Sequence, residues 1–365
     1  MLGLKKRNLI GLDIDACAVR MVQLRKHGTG YALARAGVGD IAPWGDNPEL
    51  RRFHTIQAVR KCLTASGIHD KSAVCALRGS DIVVRGFEFP VLPREEIEGA
   101  VGLEASQICP FGTDESTLDY QVTSNDSRKT RGFWVAANNT LIRDTRQLMD
   151  EAGLHCALID VDGLALLNLL DSRWHDADGN TEEPAHTDPS STTGKTEREK
   201  PVLLDVGSSC TTVAAADQSG RPFVRDIGFG GDEIVNRIAA ETDMPIESIK
   251  TRLLEDPPSE ESEEEDRIQT CLERACAPLL EDIGTTLRYY AAQNGSTHTK
   301  EMLVCGGFAT MRGLIELLRM KLYVEATLWN PLVEMPCEAG EECESLLRRY
   351  GPCLAVATGL AMRSM

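Results

Sequence analysis

The sequence predicts an α/β protein built from two similar lobes, and three segments carry that prediction. Residues 9–24 and residues 202–216 each give an apolar strand that ends at an aspartate, a turn of small residues and a second apolar strand. Residues 302–318 give a strand, a pair of glycines and an amphipathic helix. A chain of 365 residues, 42% of them hydrophobic, is long enough for two lobes with large cores.

The turn of the second hairpin has the composition of a phosphate-binding loop. The segment VLLDVGSSCTTVAAA places Asp205 at a strand end, Gly207, Ser208 and Ser209 in the turn, and Thr211 at the start of the next strand. Glycine permits unusual dihedral angles and the hydroxyl residues add short donors, so several N–H groups can point at one spot. The Asp205 carboxylate suits Mg²⁺. The alternative interpretation is an ordinary hairpin with a Gly-Ser turn.

Composition excludes several function classes. A net charge of −17 and the lack of a basic stripe argue against nucleic-acid binding. The twelve cysteines include no pair at zinc-finger spacing, and several stand singly in apolar runs, as expected of a small buried hydrophobe. The sequence has neither a signal-peptide pattern nor an apolar run of about 18 residues. We therefore expect a cytoplasmic protein without direct membrane insertion.

The periodicity of the chain predicts helices over residues 94–108, 139–152 and 231–242, the last of them capped by Asp232. A further helix near 351–363 is almost entirely small and apolar, and we expect it to be buried against the second sheet. The predicted organisation is a first lobe over 1–171, a polar linker or disordered loop over 172–200 and a second lobe over 201–365. The acidic run 255–266 is interpreted as a solvated loop or frayed helix start.

The order of these segments resembles the actin-like ATPase superfamily, in which two lobes each present a phosphate hairpin to a nucleotide. Three further segments resemble the PilM family of type IV pilus assembly. Residues 87–122, FEFPVLPREEIEGAVGLEASQICPFGTDESTLDYQV, look like the PilM-type insertion of the first lobe. Residues 135–170, with Ala-Gly-Leu between a helix and a strand, and residues 224–239, with a strand, Gly-Gly and a helix, are similar to the PilM pattern.

The resemblance implies ATP or ADP with Mg²⁺ between the lobes, with Asp205 as the metal residue. It assigns the nucleotide contacts to Asp13, Gly207, Ser208, Ser209, Thr211, Gly230, Gly231, Gly306 and Gly307. It also implies a partner, the N-terminal tail of a bitopic inner-membrane protein of the PilN kind, docked near the 87–122 insertion, and a location peripheral to the inner membrane through that partner. Contacts with other pilus platform proteins are a further possibility of the family.

The first hairpin departs from the family pattern. It reads Asp13-Ile14-Asp15-Ala16-Cys17-Ala18-Val19-Arg20, so Asp15 puts a carboxylate where glycine or serine would face phosphate. Two like charges about 4 Å apart repel by about 4 kcal/mol at an effective dielectric constant of 20. Either Asp15 recruits the metal, or it turns away, or the site is degenerate. Further along, Asp160 is predicted equally to face the cleft or to cap a helix, and Asp162 is predicted to cap.

Three functions are compatible with these features. The first is an adaptor that binds a nucleotide and the partner tail, and at most hydrolyses ATP slowly, since the order of residues reveals no nucleophile system and no catalytic residue. The second is a scaffold of a pilus or secretion platform with a degenerate site that needs no nucleotide. The third, disfavoured by the 87–122 insertion, is a small-molecule kinase of the same superfamily.

Overall fold

The structure is a computed structural model that describes residues 9–28, 30–126, 128–177, 200–255, 263–294, 299–333, 335–337 and 341–363. Most of the predicted linker 172–200 and part of the acidic run 255–266 lie outside these residues. The strands are β1 Ile10–Ile14, β2 Ala18–His27, β3 Gly30–Asp40, β4 Ser72–Leu77, β5 Ile82–Pro90, β6 Ser116–Asn125, β7 Lys129–Asn138, β8 His155–Val161, β9 Val202–Val206, β10 Thr211–Ala216, β11 Pro222–Ile227, β12 Glu301–Cys305 and β13 Glu325–Leu328.

The helices alternate with these strands, as an α/β architecture requires. They are α1 Pro48–Ala65, α2 Arg94–Ile108, α3 Asn139–Ala152, α4 Asp162–Ala177, α5 Gly231–Thr242, α6 Ile246–Leu254, α7 Glu263–Asn294, α8 Leu314–Leu322, α9 Glu341–Tyr350 and α10 Ala355–Met362. Among the described residues, no helix combines the length and the apolar character needed to cross a bilayer.

The first lobe is organised around a sheet with the strand order β3-β2-β1-β4-β8. Strands β1 and β2 form the predicted antiparallel hairpin, whereas β4 runs parallel to both β1 and β8. Because parallel strands end at the same edge of a sheet, the residues that follow β1, β4 and β8 come close together. This edge carries Asp13, Arg78 and Asp162.

The second lobe repeats the same plan with the order β11-β10-β9-β12-β13. Strands β9 and β10 form the second hairpin, and β12 is parallel to β9. The carboxyl ends of β9 and β12 therefore bring Asp205 next to Gly306. The duplicated topology confirms the two-lobed α/β fold predicted from the paired hairpins.

Two helices, α4 and α10, join the lobes through one shared core. Helix α4 packs against β10 and β11 of the second sheet, whereas α10 packs mainly against β1 and β2 of the first. The prediction that the C-terminal helix covers the second sheet is therefore wrong, although its complete burial is confirmed. Every residue of α10 is small or apolar, so the sequence indicates burial without indicating which sheet provides the contact. At Gly359 a side chain would collide with the Ala165 backbone, so α10 and α4 approach closely there.

The insertion forms a separate three-stranded sheet of order β5-β7-β6 with α2 packed against it. Its own core contains Phe87, Ile97, Val101, Ala105 and Trp134. Helix α2 begins and ends at the predicted residues because Pro110 follows closely and the apolar positions recur at helical spacing. The subdomain extends from β5 to β7, which is wider than the predicted range of 87–122.

Candidate functional site

The loop of the second hairpin is buried between the lobes. Its Gly207 N–H donates to the Cys210 carbonyl at 3.0 Å, which closes the turn. The first residues of α5 then pack onto it: the Gly231 N–H donates to the Gly207 carbonyl at 2.9 Å and the Asp232 N–H to the Ser208 carbonyl at 2.8 Å. The cap of α5 is Gly230, so the prediction of Asp232 as the cap is wrong.

The two glycines at the start of α5 are explained by close packing. A side chain at Gly230 would collide with the Ser208 backbone, and one at Gly231 would collide with the Phe308 ring. Both glycines therefore let the helix approach the hairpin and the turn after β12. Their assignment to nucleotide contacts stays a prediction.

Asp15 of the first hairpin reaches across the cleft into the second hairpin. The Ser208 N–H donates to Asp15 Oδ2 at 3.2 Å, and the Ser208 hydroxyl donates to Oδ1 at 3.0 Å. A Cβ at Gly207 would lie 3.3 Å from Oδ2, so the carboxylate also covers that glycine. Asp15 is 3% exposed. Two of the donors predicted to hold a phosphate, the N–H and the hydroxyl of Ser208, thus hold this carboxylate.

Two guanidinium groups of the first lobe neutralise Asp15. Arg20 Nη1 donates to Asp13 Oδ2 at 3.0 Å, and its Nη2 lies 3.5 Å from Asp15 Oδ2. Arg78 pairs with Asp13, with Asp15 at 3.4 Å and with Asp162 at 2.5 Å. Arg20 also lies against Gly307 of the second lobe, because a Cβ there would be 2.8 Å from its Nη2.

The structure differs from the prediction for Asp162, and it gives an ion pair to Asp160, for which two roles were equally predicted. Asp162, predicted to cap, is the first residue of α4 and pairs with Arg78 in the cleft. Asp160 pairs with Arg363 just beyond α10, with 2.6 Å between Arg363 Nε and Oδ2.

Several other predicted site residues have different neighbours. The Thr211 hydroxyl donates to the Phe229 carbonyl at 2.7 Å, and Ser209 is exposed to solvent. The Asp205 carboxylate lies against Gly306, whose φ of 103° requires glycine. Burial, with the negative charges of Asp13 and Asp15, outweighs the nearby arginines and raises the pKa of Asp205 to about 6.

Arg78 was not among the site residues predicted from the sequence. The available signal was its position, since it directly follows the apolar strand β4, which is parallel to β1 and therefore ends beside Asp13. A charged residue at the carboxyl end of a buried parallel strand faces the functional edge of such a sheet.

The buried cluster does not fit a magnesium nucleotide in this arrangement. Asp15 occupies the Ser208 donors, and the guanidinium groups of Arg20 and Arg78 stand among the carboxylates where a cation would bind. The anionic Asp15 at the Ser208 donors would also repel an added phosphate. Within the described ranges, no group of three or more His, Cys, Asp or Glu residues is placed to hold a metal ion.

Replacing Asp15 with asparagine tests the electrostatics of this cluster. Burial opposes ionisation of Asp15, but Arg78, Arg20 and the N–H groups of Ala16 and Ser208 outweigh it and lower its pKa to about 2. The pKa of Asp15 is lower in the folded protein than in the unfolded chain, so its ionised carboxylate stabilises the fold at pH values above the unfolded pKa. This contribution is lost as the pH falls through the folded pKa. We expect Asp15→Asn to lower the free energy of unfolding at pH 7 by about 2 kcal/mol.

The measurement is urea unfolding of both proteins at pH 7 and at pH 3, where the difference should be smaller. Glu233→Gln is the matched control, because Glu233 pairs with Arg237 on α5 and both side chains are nearly half exposed, so its effect should stay within about 1 kcal/mol. A difference between Asp15→Asn and the wild type that is independent of pH would contradict the electrostatic interpretation.

Two sheets of equal topology, each with an aspartate-bearing hairpin facing a common cleft, define an actin-like protein of two lobes. A family model described as type IV pilus assembly protein PilM matches residues 11–365. The chain therefore belongs to the PilM family.

Solved structures share this fold. A chain of a PilM–PilN type IV pilus biogenesis complex is 23% identical, with 98% of this chain and 99% of that chain covered and a TM-score of 0.77. The ethanolamine utilization protein EutJ from Carboxydothermus hydrogenoformans is 13% identical, with 97% and 89% covered and a TM-score of 0.53. A diol dehydratase-reactivating factor in nucleotide-free form is 8% identical, with 97% and 99% covered and a TM-score of 0.53.

Proposed function

We propose that this protein is a cytoplasmic adaptor of type IV pilus assembly that binds the N-terminal tail of a bitopic, PilN-like inner-membrane protein. The observation that carries the proposal is the match of the PilM family model to residues 11–365. The structural likeness to a chain of a PilM–PilN complex supports the same partner class. Attachment to the inner membrane would then come through the partner.

The insertion subdomain offers a surface suited to an extended peptide. Strand β6 lies at the edge of its sheet, and most of its residues are half-buried or exposed. Apolar side chains are exposed on the same subdomain, among them Leu103 on α2 at 64% and Leu118 on β6 at 37%. An extended peptide can pair with such a strand edge and place alternate side chains against apolar neighbours.

The charge of this surface favours a basic tail. Helix α2 has the sequence REEIEGAVGLEASQI, with Glu95, Glu96 and Glu98 exposed near its start. The cytoplasmic segments next to a membrane span carry an excess of lysine and arginine. A juxtamembrane tail would therefore be attracted to α2, and this attraction supports docking at the insertion.

The nucleotide is a separate part of the proposal. The actin-like fold agrees with a nucleotide site between the lobes, and the resemblance predicts ATP or ADP with Mg²⁺ there. The Asp15–Ser208 contact occupies phosphate donors of the turn and does not fit that ligand. We therefore favour an adaptor whose tail binding requires no nucleotide, in line with the scaffold alternative of the sequence analysis.

The test is binding of a labelled peptide that corresponds to the N-terminal tail of the partner, measured by fluorescence anisotropy with the full chain. Leu103→Glu places a charge in the exposed apolar surface of α2 and should weaken binding by about 30-fold, the effect of losing a central contact worth about 2 kcal/mol. Addition of ATP or ADP with Mg²⁺ should leave the affinity of the wild type unchanged.

Met320→Glu is the matched control, because Met320 is 58% exposed on α8 of the second lobe. It introduces the same charge into the same kind of site and should bind the peptide like the wild type. No binding by the wild type would refute the proposed partner. Equal losses in both variants would remove the insertion as the docking surface.

A further inference from the structure

The contact between Asp15 and Ser208 joins the two lobes at the place where the fold predicts a nucleotide. Asp15 belongs to the first hairpin and Ser208 to the second, and both are buried. We propose that Asp15 is a built-in substitute for a nucleotide phosphate, which occupies the anion-binding turn of the second hairpin and holds the lobes closed without any nucleotide.

The Asp15 carboxylate matches the hydrogen-bond donors of the second-hairpin turn. The N–H and the hydroxyl of Ser208 each donate to a different oxygen of Asp15, at 3.2 and 3.0 Å. These donors are the ones that a phosphate would use in a loop of this composition. A carboxylate has the same sign of charge and accepts the same hydrogen bonds. The Asp15 side chain therefore fills the space in the turn and also accepts the hydrogen bonds of its Ser208 donors.

The guanidinium groups of Arg20 and Arg78 supply positive charge to Asp15. Arg20 and Arg78 both come from the first lobe, and both lie within 3.5 Å of an Asp15 oxygen. Arg20 also touches Gly307, and Asp13 bridges the two guanidinium groups. They hold Asp15 anionic and fixed in direction, which is the role that a metal ion performs for phosphate oxygens. The substitute thus includes both the anion and its counter-charges.

A second hydrogen bond joins the two lobes across the same cleft. The Gly79 N–H, next to Arg78, donates to Asp226 Oδ2 of the second lobe at 2.6 Å. Asp226 is itself fixed by the Thr212 hydroxyl at 2.7 Å. The Asp15–Ser208 contact and the Gly79–Asp226 contact therefore connect the two lobes at two points of the cleft. An incoming phosphate would have to displace Asp15 and would be repelled by its like charge.

The test combines ligand binding with amide hydrogen exchange on the full-length protein. Isothermal titration with ATP, ADP and inorganic phosphate, each with and without Mg²⁺, should detect no binding to the wild type at millimolar ligand. Exchange of the segment 205–211 should be slow without any nucleotide. In Asp15→Ser the carboxylate is gone, so this segment should exchange at least about tenfold faster, corresponding to a loss of about 1.4 kcal/mol in local closure.

Asp15→Asn keeps the size and one acceptor oxygen, and it should give an intermediate rate. Asp217→Ser, in a second-lobe turn away from Asp15, is the control and should leave exchange of 205–211 unchanged. If Asp15→Ser is unfolded, Ser208→Ala serves instead, because it removes only the hydroxyl donor and should also accelerate exchange. Micromolar binding of ATP or ADP to the wild type would overturn the proposal. It would also be overturned if the segment 205–211 exchanged at the wild-type rate in every folded Asp15 or Ser208 variant. Tail binding does not enter either measurement, so the adaptor function can fail independently.

Discussion

Replacing Arg78 with leucine is expected to lower the free energy of unfolding by about 3–5 kcal/mol, because a buried ion cluster loses one partner while its counter-charges remain. Arg78 pairs with Asp13, Asp15 and Asp162, each of which has a side chain at most 3% exposed. Leucine fills part of the space but leaves Asp13 and Asp15 opposed only by Arg20. Burial raises the pKa of Asp162, and the substitution removes the guanidinium group that opposes this effect. The measurement is chemical denaturation monitored by circular dichroism at pH 7.

Arg52→Leu provides the matched control for this experiment. Arg52 pairs with Glu151 at 2.9 Å, but the side chains are 30% and 42% exposed, so the loss should stay within about 1 kcal/mol. The double variant Arg78→Leu with Asp162→Leu should recover part of the lost stability, since it also removes a buried carboxyl group that has lost its partner. Equal losses in Arg78→Leu and Arg52→Leu would mean that the cleft cluster contributes no more than a surface ion pair.

Gly359→Val is expected to destabilise the protein by about 3 kcal/mol or more, because added volume at a tightly packed position forces the backbone to move. A Cβ at Gly359 would overlap the Ala165 carbonyl, and that obstacle is main chain rather than a flexible side chain. Relief would require α10 and α4 to separate, and these helices form the core shared by both lobes. The change should therefore lower the thermal unfolding temperature of the whole molecule.

The control for this prediction is Gly102→Ala on the helix α2. A Cβ at Gly102 would meet nothing within 4 Å, so the substitution is neutral or stabilising by up to about 1 kcal/mol through helix propensity. A Gly359→Val protein that unfolds at the temperature of the wild type would show that the two helices can be spread at little cost.

The regular elements were predictable because their signals are local. The periodicity and the stop at Pro110 predicted α2 at its observed bounds, and the strands of both hairpins follow from apolar runs that end at Asp13 and Asp205. The insertion was less well delimited, since β7 pairs with both β5 and β6 and belongs to the subdomain only through those contacts.

The cleft was predictable in part. Asp15 stood out as a charge in a phosphate turn, but the sequence left open whether it recruits a metal, turns away or marks a degenerate site. The structure places it on Ser208, 193 residues further along the chain. Arg78 was not predicted as a site residue, and Asp162 was predicted only as a helix cap. Their roles depend on the alignment of β4 and β8 beside β1, which is a long-range pairing.

The sequence by itself determined the two repeated hairpins, the helix-bearing insertion and the unusual chemistry of the first turn, since each depends on residues only a few positions apart. Tertiary structure alone decided which groups meet: Asp15 with Ser208, Arg78 with Asp162, and α10 with the first sheet. Local patterns specify which face of an element is apolar or charged. The partner of that face is selected only when sheets and helices distant in the chain pack together, because burial and ion pairing act through space.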